Sequence, residues 1–388
     1  MEERLSTRPT PQNLKISLFC PYAIENANGG VQEHTKRLGQ FLEEAGHQVV
    51  IVAPRYQDIE KGASNIIYIG TAEPVVHRQT TALIAKRPVW PQTVKDLFRI
   101  PPDICSFQEP EVSAPSMEAL WFSPATNIVT FHATQEDSFR YRLYGFIASR
   151  LYARKVDGCI AVSETNRNFI QKYFPKDYRI IPNGVDTSRF NPDITPIPEY
   201  LDDKLTILFV GRLEGRKGLT YLLKAFALLK SLRTNVKLVI VGSGPEAGNL
   251  KLQVADQNIP DVHFVGKVPA EDLPHYYALA DIFCSPATHD ESFGIVNLEA
   301  MATAIPVIAG DNPGYRELIT HCENGFLVTP QNTQEFANYL KMLLQFPNVR
   351  REMGKINRQK ALLYDWNKIG QQILDYYLEI LKRKRLID

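Results

Sequence analysis

The sequence predicts an α/β protein built as two successive open, parallel-sheet domains of similar size that face each other across a cleft. Three observations carry this. Short apolar runs without alternation recur, as strands covered on both faces do: "KISLFC", "HQVVIVAP", "NIVTFHA", "GCIAVS" and, later, "LTILFVGRL", "VKLVIVGSG", "DIFCSP" and "IPVIAG". Helical periodicity falls between them, so strand, helix and strand alternate. A Pro-, Asn- and Asp-rich stretch up to Lys204 interrupts the alternation once, after which it restarts.

The first βαβ unit runs from Lys15 through "VQEHTKRLGQFLEEAG", whose apolar positions include Val31, Leu38, Phe41 and Leu42, to a strand beyond Gly46. The predicted first domain spans residues 14–182, a linker 183–204, and the second domain 205–362. In the second domain the helices fall at "GLTYLLKAFALLKS", "EDLPHYYALA" and "NLEAMATA", with a strand at "VHFVGKV". Residues 363–388, within "ALLYDWNKIGQQILDYYLEILKRKRLID", read as an amphipathic helix with a basic end, its apolar face formed by Trp366, Ile369, Ile373, Tyr376, Tyr377 and Ile380.

Composition excludes several classes. The 388 residues are too many for one ordinary domain. A hydrophobic content of 44% argues against disorder, and a net charge of +1 gives no nucleic-acid footprint. Five scattered cysteines without a C-x-x-C pair read as free thiols in a reducing compartment. No run approaches the ~20 apolar residues of a membrane span, and the first residues lack a secretory apolar stretch. The expected location is cytoplasmic, with room for peripheral attachment to the cytoplasmic face of the cell membrane.

Ligands of such sheets bind beyond the carboxyl ends of the strands, so the motifs there matter most. "NANGGVQEH" puts Gly29 and Gly30 at a helix start, where backbone N–H groups can approach an anion, although a tight turn alone would also explain them. "VGSGPEAG", with Gly242 and Gly244, matches a loose dinucleotide pattern, but after the second strand of its domain rather than the first, so it is weak support for an NAD(P) enzyme. "GRLEGRKG" places Arg212 and Lys217 around a strand end, two cations suited to a diphosphate; a solvated basic turn is the alternative. In "ESFGIVNLE" the backbone N–H groups from Phe293 to Val296 open a helix, and Glu291 and Glu299 flank it. Sugar hydroxyls suit the first acid and a ribose diol the second; a helix-start acid and an ordinary surface glutamate would explain either one alone. His132 in "TFHAT" ends a strand of the first domain. The chain has no D-x-D pair and no metal-ligand cluster, so neither a metal nor a cofactor is expected.

Taken together, "ESFGIVNLE", "GRLEGRKG", "IPNGVDTSRF" and "NPGYRELITHCENGFLV" resemble the retaining family 4 glycosyltransferases of the GT-B fold, in order and over nearly the whole chain, from about Ile16 to Ile380. Within that family the chain is most similar to the phosphatidylinositol mannosyltransferases, through "CPYAIENANGGVQEH", "FHAT", "ESFGIV" and "YDW". The resemblance implies two Rossmann-like, doubly wound domains, with the last helix crossing back to the first. It implies a hexose, foremost mannose from GDP-mannose, moved to a hydroxyl acceptor such as phosphatidylinositol or another lipid or polyol.

By the resemblance, His132, Arg212, Lys217 and Glu291 form the catalytic set. The donor would meet Gly29, Gly30, Arg216, Gly242, Gly244, the backbone of Val268, and Ser292, Phe293, Gly294, Ile295, Val296 and Glu299. Tyr22 and Gln32 would serve the acceptor, Gln32 at the inositol ring. A UDP-sugar transferase, a sugar-nucleotide 2-epimerase of similar fold and a non-catalytic nucleotide-sugar binder stay open as alternatives.

Two departures stand out. Ala304 replaces the family's usual glycine, a change expected to bear on helix packing. Of the basic segments expected at a membrane, "AKRPVWPQTVKDLFR" carries Lys86, Arg87, Lys95 and Arg99 but also Asp96 and two prolines, and the run from Arg140 to Lys155 does not gather its cations on one helical face.

Overall fold

The computed structural model describes residues 13–24, 29–56, 65–77, 80–133, 151–232 and 235–387. Most of the basic run from Arg140 to Lys155 lies outside them.

The first domain carries β1 (Lys15–Phe19), β2 (Gln48–Arg55), β3 (Ile66–Thr71), an antiparallel hairpin of β4 (Glu73–His77) and β5 (Thr80–Ile84), then β6 (Ile104–Gln108), β7 (Thr126–Phe131), β8 (Gly158–Ala161) and β9 (Arg179–Ile180). Apart from the hairpin these strands form a parallel sheet in the order β3-β2-β1-β6-β7-β8-β9. The second domain repeats the plan with β10 (Leu205–Val210), β11 (Val236–Val241), β12 (Val262–Gly266), β13 (Ile282–Ser285), β14 (Val307–Gly310) and β15 (Gly325–Val328), in the order β12-β11-β10-β13-β14-β15. Each sheet therefore reverses direction beside its first strand. The crevice between β1 and β6, or between β10 and β13, is where the strand connections part to opposite faces and leave room for a ligand.

The strands pack because their side chains are apolar on both faces. Every residue of β7, β11 and β14 is buried. The helix Leu219–Lys230 inserts Leu222, Leu223 and Phe226 against Leu238 and Ile240. Polar exceptions are tied down: the buried Lys237 donates to the Asp202 carboxylate at 2.6 Å, fastening the linker to β11.

The helix Pro347–Ala361 ends in a 3-10 turn, and the last helix starts only at Trp366, later than the periodicity suggests. Asp365 explains the break. Its carboxylate accepts from the Asn367 N–H at 2.9 Å and from the Thr187 hydroxyl at 2.5 Å, and its backbone bridges to Val185 of the linker. From there Trp366–Ile387 returns to the first domain. Ile369, Ile373, Tyr377 and Ile380 pack with Leu18, Leu38 and Ile128, and the Tyr377 hydroxyl donates to Ser106 Oγ of β6 at 2.5 Å.

Ala304 corrects the packing expectation attached to it. It follows the helix Ile295–Ala302 with a left-handed φ of 59°, at the position where helices usually end on glycine. The departure is therefore a backbone matter, at roughly 1 kcal/mol.

Candidate active site: strand ends around the interdomain cleft

The site assembles where β1, β6, β7, β10 and β13 end. In the second domain the loop after β10 brings three cations to two carboxylates. The buried Glu214 pairs with Arg212 (Nε–Oε1 2.9 Å) and Arg216 (Nε–Oε2 3.2 Å). Glu291 Oε1 receives Arg216 Nη1 at 2.6 Å and Lys217 Nζ at 2.7 Å. Burial pushes the Glu291 carboxyl up, but Lys217 and Arg216 outweigh it and hold it below its ordinary range. The five charges leave one net positive, and Arg212 keeps 42% of its side chain exposed. Of the expected cation pair, Lys217 thus meets Glu291 while Arg212 meets Glu214. Arg216 is the residue that joins the two carboxylates.

Glu291 opens the loop into the helix Ile295–Ala302. Gly294 caps that helix at φ 92°, and a β-carbon there would lie 2.6 Å from the Tyr315 ring. Phe293 is buried in the second core, and the Ser292 carbonyl accepts from Ser163 Oγ of the first domain at 2.8 Å. Across the cleft, the helix Gly30–Glu44 starts opposite. A β-carbon on Gly30 would stand 3.0 Å from the Ile295 methyl. Two helix N-termini, each with N–H groups that have no partner within their own helix and a partial positive charge, therefore converge with Arg216, Lys217 and Arg212 nearby. An anion is what such a site binds.

Further along, Ile295, Glu299, Gly30, Arg189 and Trp366 line one cavity between the domains. Glu299 accepts from the Tyr277 hydroxyl at 2.7 Å. Burial pushes its carboxyl up to about 7, against the Tyr277 hydrogen bond and Arg189. Val268 follows β12, half-buried against the second core.

Backbone contacts between the loops account for Gly242 and Gly244. A β-carbon would fall 1.8 Å from the Gly211 carbonyl oxygen at Gly242 and 2.4 Å from that of Leu213 at Gly244. The Leu213 N–H donates to the Ser243 carbonyl at 3.0 Å. The glycines let the loops after β10 and β11 touch, which is sufficient reason for the dinucleotide-like pattern.

In the first domain His132 is buried at the end of β7. Its Nε2 lies 2.8 Å from Gln108 Oε1, an acceptor, so Nε2 carries the hydrogen. Its ring stands edge-on to His34 with centroids 4.6 Å apart. Burial lowers both imidazoles, His34 to about 4, so both are neutral near pH 7. Tyr22 donates to Glu109 Oε2 at 2.8 Å. Gln32 folds back onto Gly29, where an added β-carbon would meet its amide oxygen at 2.1 Å.

Periodicity and motif spacing missed Glu109, His34, Arg189 and Tyr277. Only Glu109, in "FQEP" ahead of a proline, carried a local signal.

A separate surface of the first domain is apolar and cationic. Trp90 is 82% and Ile100 72% exposed on either side of the short helix Pro91–Leu97. The neighbouring helix Ala114–Phe122 exposes Trp121 and Phe122, and Lys95 Nζ sits 5.6 Å from the Phe122 ring centroid. Among the described residues no helix is long and apolar enough to cross a membrane.

Comparison with known proteins agrees with this architecture. Residues 28–189 match the family model "Glycosyltransferase Family 4", and residues 192–360 match "Glycosyl transferases group 1". The phosphatidyl-myo-inositol mannosyltransferase of Mycolicibacterium smegmatis is 31% identical over 366 residues, covering 94% of this chain and 93% of the relative. A GDP-mannose-dependent alpha-(1-6)-phosphatidylinositol monomannoside mannosyltransferase of Mycobacterium tuberculosis is 32% identical over 228 residues, 55% of this chain and 59% of the relative. A glycosyltransferase from Rickettsia africae shares the fold with a TM-score of 0.75 at 20% identity, covering 95% of this chain and 99% of that one. With paired reversing sheets, an anion-seeking cluster at their strand ends and these relatives, the chain belongs to the family 4 glycosyltransferases of GT-B fold, and it is a glycosyltransferase.

Proposed function

We propose that the protein transfers mannose from GDP-mannose, with retention at the anomeric carbon, to a hydroxyl of phosphatidylinositol at a membrane surface. The observation that carries the anionic part of this reading is the convergence of two helix starts with Arg212, Arg216 and Lys217. The relatives' names support the choice of sugar, base and acceptor.

Breaking the bond from sugar to phosphate separates an oxocarbenium-like ring from a diphosphate. The cations and the backbone N–H groups from Phe293 to Val296 meet the charge growing on the leaving group. No metal is assigned to this role, so chelation should leave the rate unchanged. Glu291, held by Arg216 and Lys217, orients sugar hydroxyls together with His132. Glu299 accepts from the ribose diol. Both Glu291 and Glu109 are tied to cations or donors rather than poised as a nucleophile, which favours attack from the leaving-group face, the phosphate oxygen taking the acceptor's proton. Closing the cleft over the donor limits hydrolysis by water.

The patch of Trp90, Ile100, Trp121 and Phe122, with Lys95 against Phe122 and Lys86, Arg87 and Arg99 in the same stretch of chain, would rest on an anionic bilayer and bring the cleft to the lipid headgroup.

The test is a transfer assay with GDP-mannose or UDP-glucose over vesicles containing phosphatidylinositol, the product's anomeric configuration being read by NMR. An α-mannosyl lipid, lost in Lys217→Met, is the expected result. Transfer from UDP-glucose alone would replace the donor, and an inverted product would sink the mechanism.

A further inference from the structure

Glu109 is used by none of the steps above, yet it is among the most constrained residues of the first domain. It sits at the carboxyl end of β6, at the point where the first sheet reverses, and only 2% of it is exposed. Its backbone is left-handed, with φ 41° and ψ 57°. For a residue with a β-carbon that conformation costs ~1–2 kcal/mol and persists where surrounding contacts demand it. The contacts are three donors on one carboxylate. Oε2 accepts from the Tyr22 hydroxyl at 2.8 Å; Oε1 accepts from the N–H of His132 at 3.2 Å and that of Ala133 at 2.5 Å. Its own N–H donates to the Thr130 carbonyl at 2.9 Å, which locks the turn to β7.

Resting on the functional reading above, we propose that Glu109 is a positioning residue for the transfer. Its one carboxylate fixes the Tyr22 hydroxyl on the acceptor side and the His132–Ala133 peptide on the sugar side, and so sets the separation of the two substrates. The direction of the first hydrogen bond matters. Because Tyr22 donates its hydrogen to Glu109, its oxygen offers the acceptor lone pairs and no hydrogen. It can then accept from a hydroxyl of the acceptor next to the reacting one and hold the reacting oxygen, whose own hydrogen is left for the leaving phosphate, facing the sugar. An amide in place of the carboxylate cannot serve all three donors at once, since one of its two ends is itself a donor.

The experiment compares wild type, Glu109→Gln, Tyr22→Phe and the double variant as full chains. It measures transfer to phosphatidylinositol, slow hydrolysis of GDP-mannose by water, GDP affinity and melting temperature. Loss of a buried charge-assisted hydrogen bond should lower kcat for transfer roughly tenfold to hundredfold. Hydrolysis should fall less, so the ratio of transfer to hydrolysis drops. GDP affinity should stay within about twofold, because among the described residues the Glu109 carboxylate is hydrogen-bonded by Tyr22 and the His132 turn. Residues acting as one unit give non-additive losses, so the double variant should be no slower than Glu109→Gln.

Transfer by Glu109→Gln within about twofold of wild type overturns the proposal. So do losses that multiply in the double variant, or a parallel fall of transfer, hydrolysis and GDP affinity, which marks a merely structural role. Should Glu109→Gln not fold, Tyr22→Phe decides alone: an unchanged ratio of transfer to hydrolysis overturns the proposal. Wild-type protein that transfers to no lipid acceptor overturns the functional reading beneath it, whereas wild-type transfer with indifferent variants overturns this inference only.

Discussion

Replacing Gly294 by alanine adds one methyl group to the loop that carries Glu291, and the structure allows its cost to be worked out. Gly294 has φ 92° and ψ 61°, so a β-carbon incurs ~1–2 kcal/mol of backbone strain. The new carbon would lie 2.6 and 2.7 Å from two Tyr315 ring carbons and 2.9 Å from the Asn297 amide nitrogen. Tyr315 cannot retreat: it is fully buried, and its hydroxyl accepts from Ser285 Oγ at 2.7 Å. Overpacking of this kind adds ~1–3 kcal/mol, for a sum of ~2–5 kcal/mol.

If the loop moves to relieve the clash, Glu291 leaves Arg216 and Lys217, and donor binding falls as well. Thermal unfolding of Gly294→Ala should therefore shift down by roughly 4–20 °C, with weaker GDP binding in calorimetry. Gly248 is the control. It lies within the helix Ala247–Asp256 with nothing within 4 Å of a new β-carbon, so Gly248→Ala should be neutral or stabilising by up to ~1 kcal/mol. Equal melting temperatures for Gly294→Ala and wild type, with normal activity, would refute the close contact between the loop and Tyr315.

Four further outcomes are expected. Burial places the Glu299 carboxyl at about 7, and a ribose diol needs the ionised form as acceptor. Affinity for GDP-mannose, whose diphosphate diester carries no proton in this range, should rise roughly tenfold from pH 6 to 8 with proton release, and the rise should vanish in Glu299→Gln. The same residue binds its proton more tightly folded than unfolded, so its contribution to stability declines as pH climbs from the ordinary 4.5 toward 7. Trp90→Glu with Ile100→Glu should cut co-sedimentation with anionic vesicles by about tenfold or more while leaving GDP-mannose hydrolysis intact; undiminished binding would remove the patch from the membrane reading. Tyr377→Ala should cost ~3–5 kcal/mol by emptying the seam between the last helix and the first sheet, and a shift in the denaturation midpoint worth under ~1 kcal/mol would contradict that packing.

The two-domain α/β plan was legible because its strands are continuous apolar runs, β11 and β14 among them. β6 was not read as a strand, although it sits at the centre of the first sheet. Its sequence, Ile104-Cys105-Ser106-Phe107-Gln108, has two polar residues whose partners arrive from afar: Tyr377 meets Ser106 and His132 meets Gln108. Local pattern cannot distinguish a buried polar residue with a distant partner from an exposed one.

The sequence by itself determined the alternation of strands and helices and the residue types gathered after β10 and β13, because apolar periodicity and turn chemistry are local properties. Tertiary structure decided which charges meet. Arg216, five residues before an unremarkable Tyr221, turned out to bridge Glu214 and Glu291, while Arg212 stayed with Glu214 alone. It also decided that Glu109 would collect Tyr22, His132 and Ala133, residues 87, 23 and 24 positions away. A charge or a donor finds its partner through the chain's path in space, and that path depends on how the two sheets and the returning helix pack, which no short window of sequence contains.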